Sequence, residues 1–293
     1  MKLCVRGMIT VVALALVATA LRASDRDVVT GSFTRTLTVS GAVDLDVSTG
    51  SGDIAVRPGE NGKVVIRGKI QAHHNKGEGQ ADVESRVHEL ESHPPIDQDG
   101  NHIQVGRLEK PELRRNVSID YEIEVPVDTR LNSQSGSGDL SVEGIHGSVE
   151  ARSGSGDMKI HDIKGSVRIA TGSGDAKFEQ ITGERVEIET GSGDVDLRDL
   201  HSALQVRTGS GDIYAEGEPK GDWTLHTGSG KVAIRLPADT GLDVDAHTNS
   251  GDISTGLPVT AEGSMGHGEL HGKVRGGGAR LEVRTGSGDI SID

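Results

Sequence analysis

The tetrapeptide Gly-Ser-Gly-Asp returns along this chain at an almost fixed interval, and no other feature restricts the possible folds as much. Copies end at Asp139, Asp157, Asp175, Asp194 and Asp212, and the step from one to the next never varies by more than a single residue. A variant with Lys231 in the aspartate's place follows at the same spacing, and Asn249-Ser-Gly-Asp252 comes after a slightly longer step. Outlying copies occupy residues 50–53 and 286–289. A constant period of about 20 residues describes a solenoid, in which each unit buries its apolar face only against its neighbours.

Within one unit the apolar positions are Met158, Ile160 and Ile163, then Val167 and Ile169, with Thr171 closing the run. The next unit repeats them as Ala176, Phe178, Ile181, Val186, Ile188 and Thr190. Alternation with period two is the strand signal, since successive side chains point to opposite faces. Each unit therefore holds two short strands and two corners. One corner is Gly-Ser-Gly-Asp, and the other carries Gly147, Gly165 or Gly183, where positive φ is expected. Coils stacked in chain order pair each strand with its equivalent about 4.8 Å away. That order makes Lys231 the neighbour of Asp212 and Asp252. Inward ladders of Val, Ile and Leu follow, with a hydroxyl ladder at Ser153, Thr171, Thr190, Thr208, Thr227 and Thr248. Outward, Glu150, Arg168 and Glu187 fall at equivalent places, so opposite charges face each other across the ladder. The expected fold is all-β: a single-stranded β-solenoid of about 18–19 residues per coil, right-handed if its crossovers are the ordinary parallel ones.

Residues 1–23 have the make-up of a secretory signal: Lys2 and Arg6, an apolar run from Met8 to Ala20, then small residues near Ala23. Cys4 is the one cysteine, so the mature chain has no disulfide, thiol chemistry or Cys-type zinc site. The formal charge of −14 becomes −17 once that segment, with three basic residues and no acid, is set aside. Such a balance argues against nucleic acid, whose binding rests on Lys and Arg at phosphates. Five aromatic residues are too few for a broad sugar-stacking platform. Tyr214 falls outward, while Phe178 and Trp223 fall on core positions.

Residues 24–130 read as a strand-rich N-terminal lobe that caps the first coil, and 131–293 as the repeat domain. In the lobe, residues 43–56 resemble a detached coil, and strands are expected at 63–70, 103–108 and 117–125. Val83, Val87 and Leu90 place one helix over 81–91, stopped by His93-Pro94-Pro95. A Gly-rich loop spans 256–280 before closing strands at 281–285 and 290–292.

The run Tyr121-Glu-Ile-Glu-Val-Pro-Val-Asp-Thr-Arg-Leu131, leading into repeated Thr-Gly-Ser-Gly-Asp turns, resembles a bacterial family of β-strand-repeat proteins called putative adhesins, a domain of unknown function. The likeness covers roughly residues 40–293. It implies an exported β-solenoid and brings no catalytic residues with it.

Several chemistries compete with the bland alternative of structural corners. A row of aspartates at Asp139, Asp157, Asp175, Asp194 and Asp212 could hold Ca²⁺ through carboxylate oxygens. The alternative is that each caps backbone N–H groups in its own corner. Neighbouring carboxylates could match a retaining glycosidase pair, yet repetition gives them near-identical surroundings and no basis for split pKa values. His267-Gly-Glu-Leu-His271 departs from the helical zinc-protease spacing, and His73-His74 is an isolated pair. No His recurs beside the corner serines. No cofactor and no catalytic residue is therefore expected. The functional expectation is an exported, non-enzymatic adhesin or envelope binding surface, in the periplasm, at the cell surface or outside. Its partner would be a protein or an envelope polymer. A polysaccharide-active β-helix enzyme and a periplasmic partner in envelope regulation are the alternatives.

Overall fold

The computed structural model describes residues 28–74, 79–261 and 268–293. Its N-terminal part holds β1 (Val28–Thr38), β2 (Val43–Thr49), β3 (Ile54–Pro58), β4 (Lys63–His73), α1 (Gln80–Ser92), β5 (Ile96–Asp99), β6 (His102–Val105), α2 (Pro111–Arg114) and β7 (Val117–Val125). The array follows as β8 (Thr129–Ser135), β9 (Leu140–Ile145), β10 (Val149–Ser155), β11 (Met158–Ile163), β12 (Val167–Ser173), β13 (Ala176–Ile181) and β14 (Arg185–Ser192). It continues as β15 (Val195–Leu200), β16 (Ala203–Ser210), β17 (Ile213–Gly217), β18 (Trp223–Ser229) and β19 (Val232–Arg235). The chain ends with β20 (Leu242–Thr248), β21 (Ile253–Thr255), β22 (Val259–Ala261), β23 (Glu269–Val274), β24 (Ala279–Ser287) and β25 (Ile290–Ile292).

These strands form two sheets, and each coil gives one strand to each, so the expected all-β solenoid is what the chain builds. Register follows the repeat. Val149 faces Val167, Val167 faces Val186, and Val186 faces Leu204. On the other sheet Ile160 faces Phe178 and Phe178 faces Leu197. These inward residues lie in one continuous buried core with Trp223, whose Nε1 donates to the Ser202 carbonyl.

The apolar, x, x, apolar step inside each unit has a local cause. Asp162, Gln180 and Asp199 adopt left-handed backbone (φ 51, 58 and 52), as does Gly144 at the equivalent place. The bend returns the next side chain inward, and Ile145, Ile163, Ile181 and Leu200 are all fully buried. Positive φ was expected instead at Gly147, Gly165 and Gly183, and that is corrected. Those glycines are needed for close approach: an added Cβ would lie 2.0–2.2 Å from a carbonyl oxygen of the coil before.

Stacking in chain order holds from β8 to β19 and then breaks. β24 and β25 lie between the β18/β19 coil and the β20/β21 coil, pairing in parallel with both. The last coil of the chain is thus not the last of the stack. Residues read as a Gly-rich loop contain β22 and β23, which run antiparallel beyond β20 and cover that end of its sheet.

At the other end, β2 and β3 form a full coil against β8 and β9. β7, β4 and β1 extend one sheet, and β6 and β5 the other. Helix α1 buries Val83, Val87 and Leu90, the residues that its spacing marked. The edge strand β1, which the pattern left unassigned, would otherwise offer free backbone to another chain. Glu91 of α1 accepts the Ser32 N–H, and Arg35 donates back to the Glu91 and Ser92 carbonyls. Gly31 lets the helix approach, since a Cβ there would sit 2.5 Å from Val87.

Candidate functional site

The sequence points to the Gly-Ser-Gly-Asp corner, and the fold places these corners in one straight row. The second glycine of each motif stacks on its equivalent. A Cβ at Gly138, Gly156, Gly174, Gly193 or Gly211 would lie 2.0–2.2 Å from the carbonyl oxygen of the corresponding glycine one coil back. No side chain fits between coils that close. The backbone can bend there because Gly174, Gly193 and Gly211 take φ of 148 to 157.

The aspartates then bind across coils rather than within their own corners, which corrects the capping expectation. The Asp157 N–H donates to Asp139 Oδ1, Asp175 to Asp157, Asp194 to Asp175 and Asp212 to Asp194, at 2.8–2.9 Å. The series extends upstream, with Asp139 donating to Asp53, and Asp53 to Asp120. Asp120 lies outside any Gly-Ser-Gly-Asp copy, so the repeat gave no sign of it. Downstream, the Lys231 N–H donates to Asp212 Oδ1. Beyond Lys231 comes Asp289, not Asp252; the Asp252 N–H donates to Asp289 Oδ1. The row order therefore follows the inserted coil. From Asp53 to Asp212 each motif carboxylate is exposed, with one oxygen engaged by the next coil, while Asp120 is half-buried. Among the described residues no three His, Cys, Asp or Glu side chains converge as holders of a metal ion.

Beneath the carboxylates runs the hydroxyl ladder, with every expected member buried and Thr285 standing between Thr227 and Thr248. Four of these hydroxyls donate to a glycine carbonyl one coil back: Ser153 to Gly138 at 3.5 Å, and Thr227 to Gly211, Thr285 to Gly230 and Thr248 to Gly288 at 3.0–3.1 Å. Thr171 turns instead to the Ser173 carbonyl, and the Thr190 and Thr208 hydroxyls are buried without a hydrogen-bond partner among the described residues. A backbone N–H thus ties each corner from Asp139 to Lys231 to its predecessor, and a buried hydroxyl adds a second tie at Ser153, Thr227, Thr285 and Thr248.

Among the described residues the histidines do not come together as a metal site. His267 lies outside the described residues, and His271 on β23 pairs with Asp245 at 3.3 Å. His73 ends β4, its N–H donating to the Asn116 carbonyl. Tyr214 stands on the outer face as expected, with the Arg198 guanidinium 5.3 Å from its ring and its hydroxyl bonded to Glu216, a bond that raises its pKa.

Elsewhere the outer faces are laced by ion pairs. Glu150, Arg168 and Glu187 share one row, and Arg168 reaches Glu187 at 2.5 Å. Glu124 on β7 joins Arg57 on β3 and Arg67 on β4, at 2.8 and 2.9 Å, and these bonds lower its pKa. At Glu282, burial pushes the pKa up, but Arg284 and Arg280 outweigh it and the net shift is downward.

Comparison with known proteins gives one family. The sequence profile described as Toastrack DUF4097 matches residues 44–293. No curated protein matches the chain. Among solved structures, a putative adhesin from Bacteroides fragilis NCTC 9343 is 13% identical with a TM-score of 0.47, covering 90% of this chain and 97% of that one. A putative adhesin from Parabacteroides distasonis ATCC 8503 is 8% identical with a TM-score of 0.44, covering 89% and 97%. A putative cell adhesion protein from Clostridium sporogenes ATCC 15579 is 13% identical with a TM-score of 0.28, covering 90% and 98%.

Proposed function

Because this chain belongs to the Toastrack DUF4097 family, a domain of unknown function, we propose that it is an exported, non-enzymatic solenoid whose sheet faces act as a binding or structural surface in the cell envelope. The observation that carries this reading is the uniformity of the corner row. Its aspartates share one hydrogen-bonding pattern from Asp53 to Asp212. A glycosidase-type carboxylate pair needs contrasting surroundings for its two groups, whereas a long face of repeated groups suits contact with an extended partner. Export rests on residues 1–23, which lie outside the described residues. No described helix is long and apolar enough to cross a membrane.

The test is location. Intact cells are treated with a membrane-impermeant amine reagent, for which exposed lysines such as Lys159, Lys177 and Lys231 are targets. Modification before lysis supports a surface role. Modification only once the outer envelope is opened supports a periplasmic one, and would direct the search toward envelope partners. Protection until the cytoplasm is released sinks export altogether.

A further inference from the structure

Like charges set directly opposite across a ladder are destabilising, and these sheets largely avoid them. Among the described residues two outward register pairs break the rule. One is Asp245 opposite Glu282 on β20 and β24, where Arg280 lies 3.2 Å from both carboxylates and bridges them. The other is Lys159 opposite Lys177 on β11 and β13. No described carboxylate lies within ion-pair reach of either ammonium, and both side chains are exposed. The molecule supplies a counter-charge in the first case and leaves the place open in the second.

That open place is a groove of about 260 Å³, lined by Lys159, His161, Lys177, Glu179, Asp196 and Arg198. Asp196 follows Lys177 in the row, but it is already committed to Arg198 through two hydrogen bonds of 3.0 and 3.1 Å. Glu179 stands between His161 and Arg198 in the adjoining row. We propose that this groove seats a carboxylate of an acidic polysaccharide between the Lys159 and Lys177 ammonium groups. The inference rests on the reading of the chain as a binding surface. Two cations with no partner call for an anion, while the acids at the rim decide which kind. Glu179 and Asp196 accept hydrogen bonds from hydroxyl groups, which a sugar offers and a polyphosphate chain does not. A uronate unit combines one carboxylate with several hydroxyls. Parallel strands continue on both sides, so the chain of sugars can run on across neighbouring coils.

The test titrates the full chain with polygalacturonate, neutral dextran and polyphosphate. Polygalacturonate is expected to bind saturably, less well as salt rises, and dextran not at all. Replacing both Lys159 and Lys177 by Ala should weaken polygalacturonate by at least about tenfold. The exposed change Lys159→Glu creates an opposite-charge pair with Lys177, so it should raise the thermal midpoint while binding falls. A merely structural lysine would not divide the two readouts. Unchanged binding in either variant overturns the groove but leaves the binding-surface reading standing. A wild-type chain that binds none of the three overturns the polysaccharide inference, while a protein partner would be unaffected. Tighter binding of polyphosphate than of polygalacturonate overturns the uronate assignment in favour of a phosphate polymer.

Discussion

Gly50 and Gly154 hold the same place in the same motif, yet a methyl group would meet different surroundings at the two. At Gly154 an added Cβ would lie 2.4 Å from the Gly136 carbonyl oxygen; at Gly50 nothing lies within 4 Å. Gly154→Ala should therefore cost about 2–3 kcal/mol, as other overpacked sites do, and Gly50→Ala under about 0.5 kcal/mol. Equal denaturation midpoints for the two variants would refute the stacking account. The aspartates allow a second comparison. Asp157→Ala leaves the Asp175 N–H without its acceptor and should cost about 1 kcal/mol. Asp157→Asn keeps an Oδ1 acceptor, loses a charge from a row of like charges, and should fall within about 0.5 kcal/mol of the parent. The motif and its spacing were plain in the sequence. What residue types could not show is the direction of each bond: an Asp after Gly caps its own corner as readily as the next coil's. Only the small separation of stacked corners decides it.

Between elements, the joint of β3, β7 and β4 depends on Glu124, with Arg57 and Arg67 on either side. Hydrogen bonds to the two guanidinium groups hold its pKa below the ordinary carboxylate value. A carboxyl group with a depressed folded pKa adds stability that is complete above the unfolded value of about 4.3. That contribution drains away as pH falls through the lower folded value. Glu124→Gln should accordingly lower the thermal midpoint at pH 7 and make the melting profile less sensitive to acid below about pH 4. Two parallel acid limbs, parent and variant, would show that Glu124 carries none of this dependence. β7 was legible from the alternation of Ile119, Tyr121, Ile123 and Val125, and β4 from its run of Val64, Val65, Ile66 and Ile70. β1 was not: its Thr, Ser, Gly and Arg leave only Phe33 buried, as befits an edge lying beneath a helix. α2, a single short turn started by Pro111 and burying nothing, carries no periodicity to detect.

Across the whole molecule the period of the repeat determined the number of strands per coil, their faces and their register. It did not determine which coil sits beside which. Residues 242–255 and 279–292 present the same apolar alternation and nearly the same corner, so either could follow β18 and β19. A difference in connection separates them, and its outcome is the insertion of β24 and β25 inside the stack. Two deletions of similar size should therefore behave differently. Removing residues 140–157 takes out one whole coil and joins Asp139 to Met158. β8 would then face β12, and β3 would face β11, with every inward position still matched. The shortened chain should fold cooperatively, with its long axis reduced by about 4.8 Å. Truncation after Gly278 also removes one coil, but from within the stack, not from its end. β18 and β20 each lose a parallel partner, and Trp223 and Val244 lose the Leu281 side chain set opposite them. That variant should melt at a lower temperature than the internal deletion and bind a hydrophobic dye. If it instead matched the parent in stability and bound no dye, residues 242–255 would have closed directly onto β18 and β19. The inserted coil would then be an addition to a stack that is stable without it.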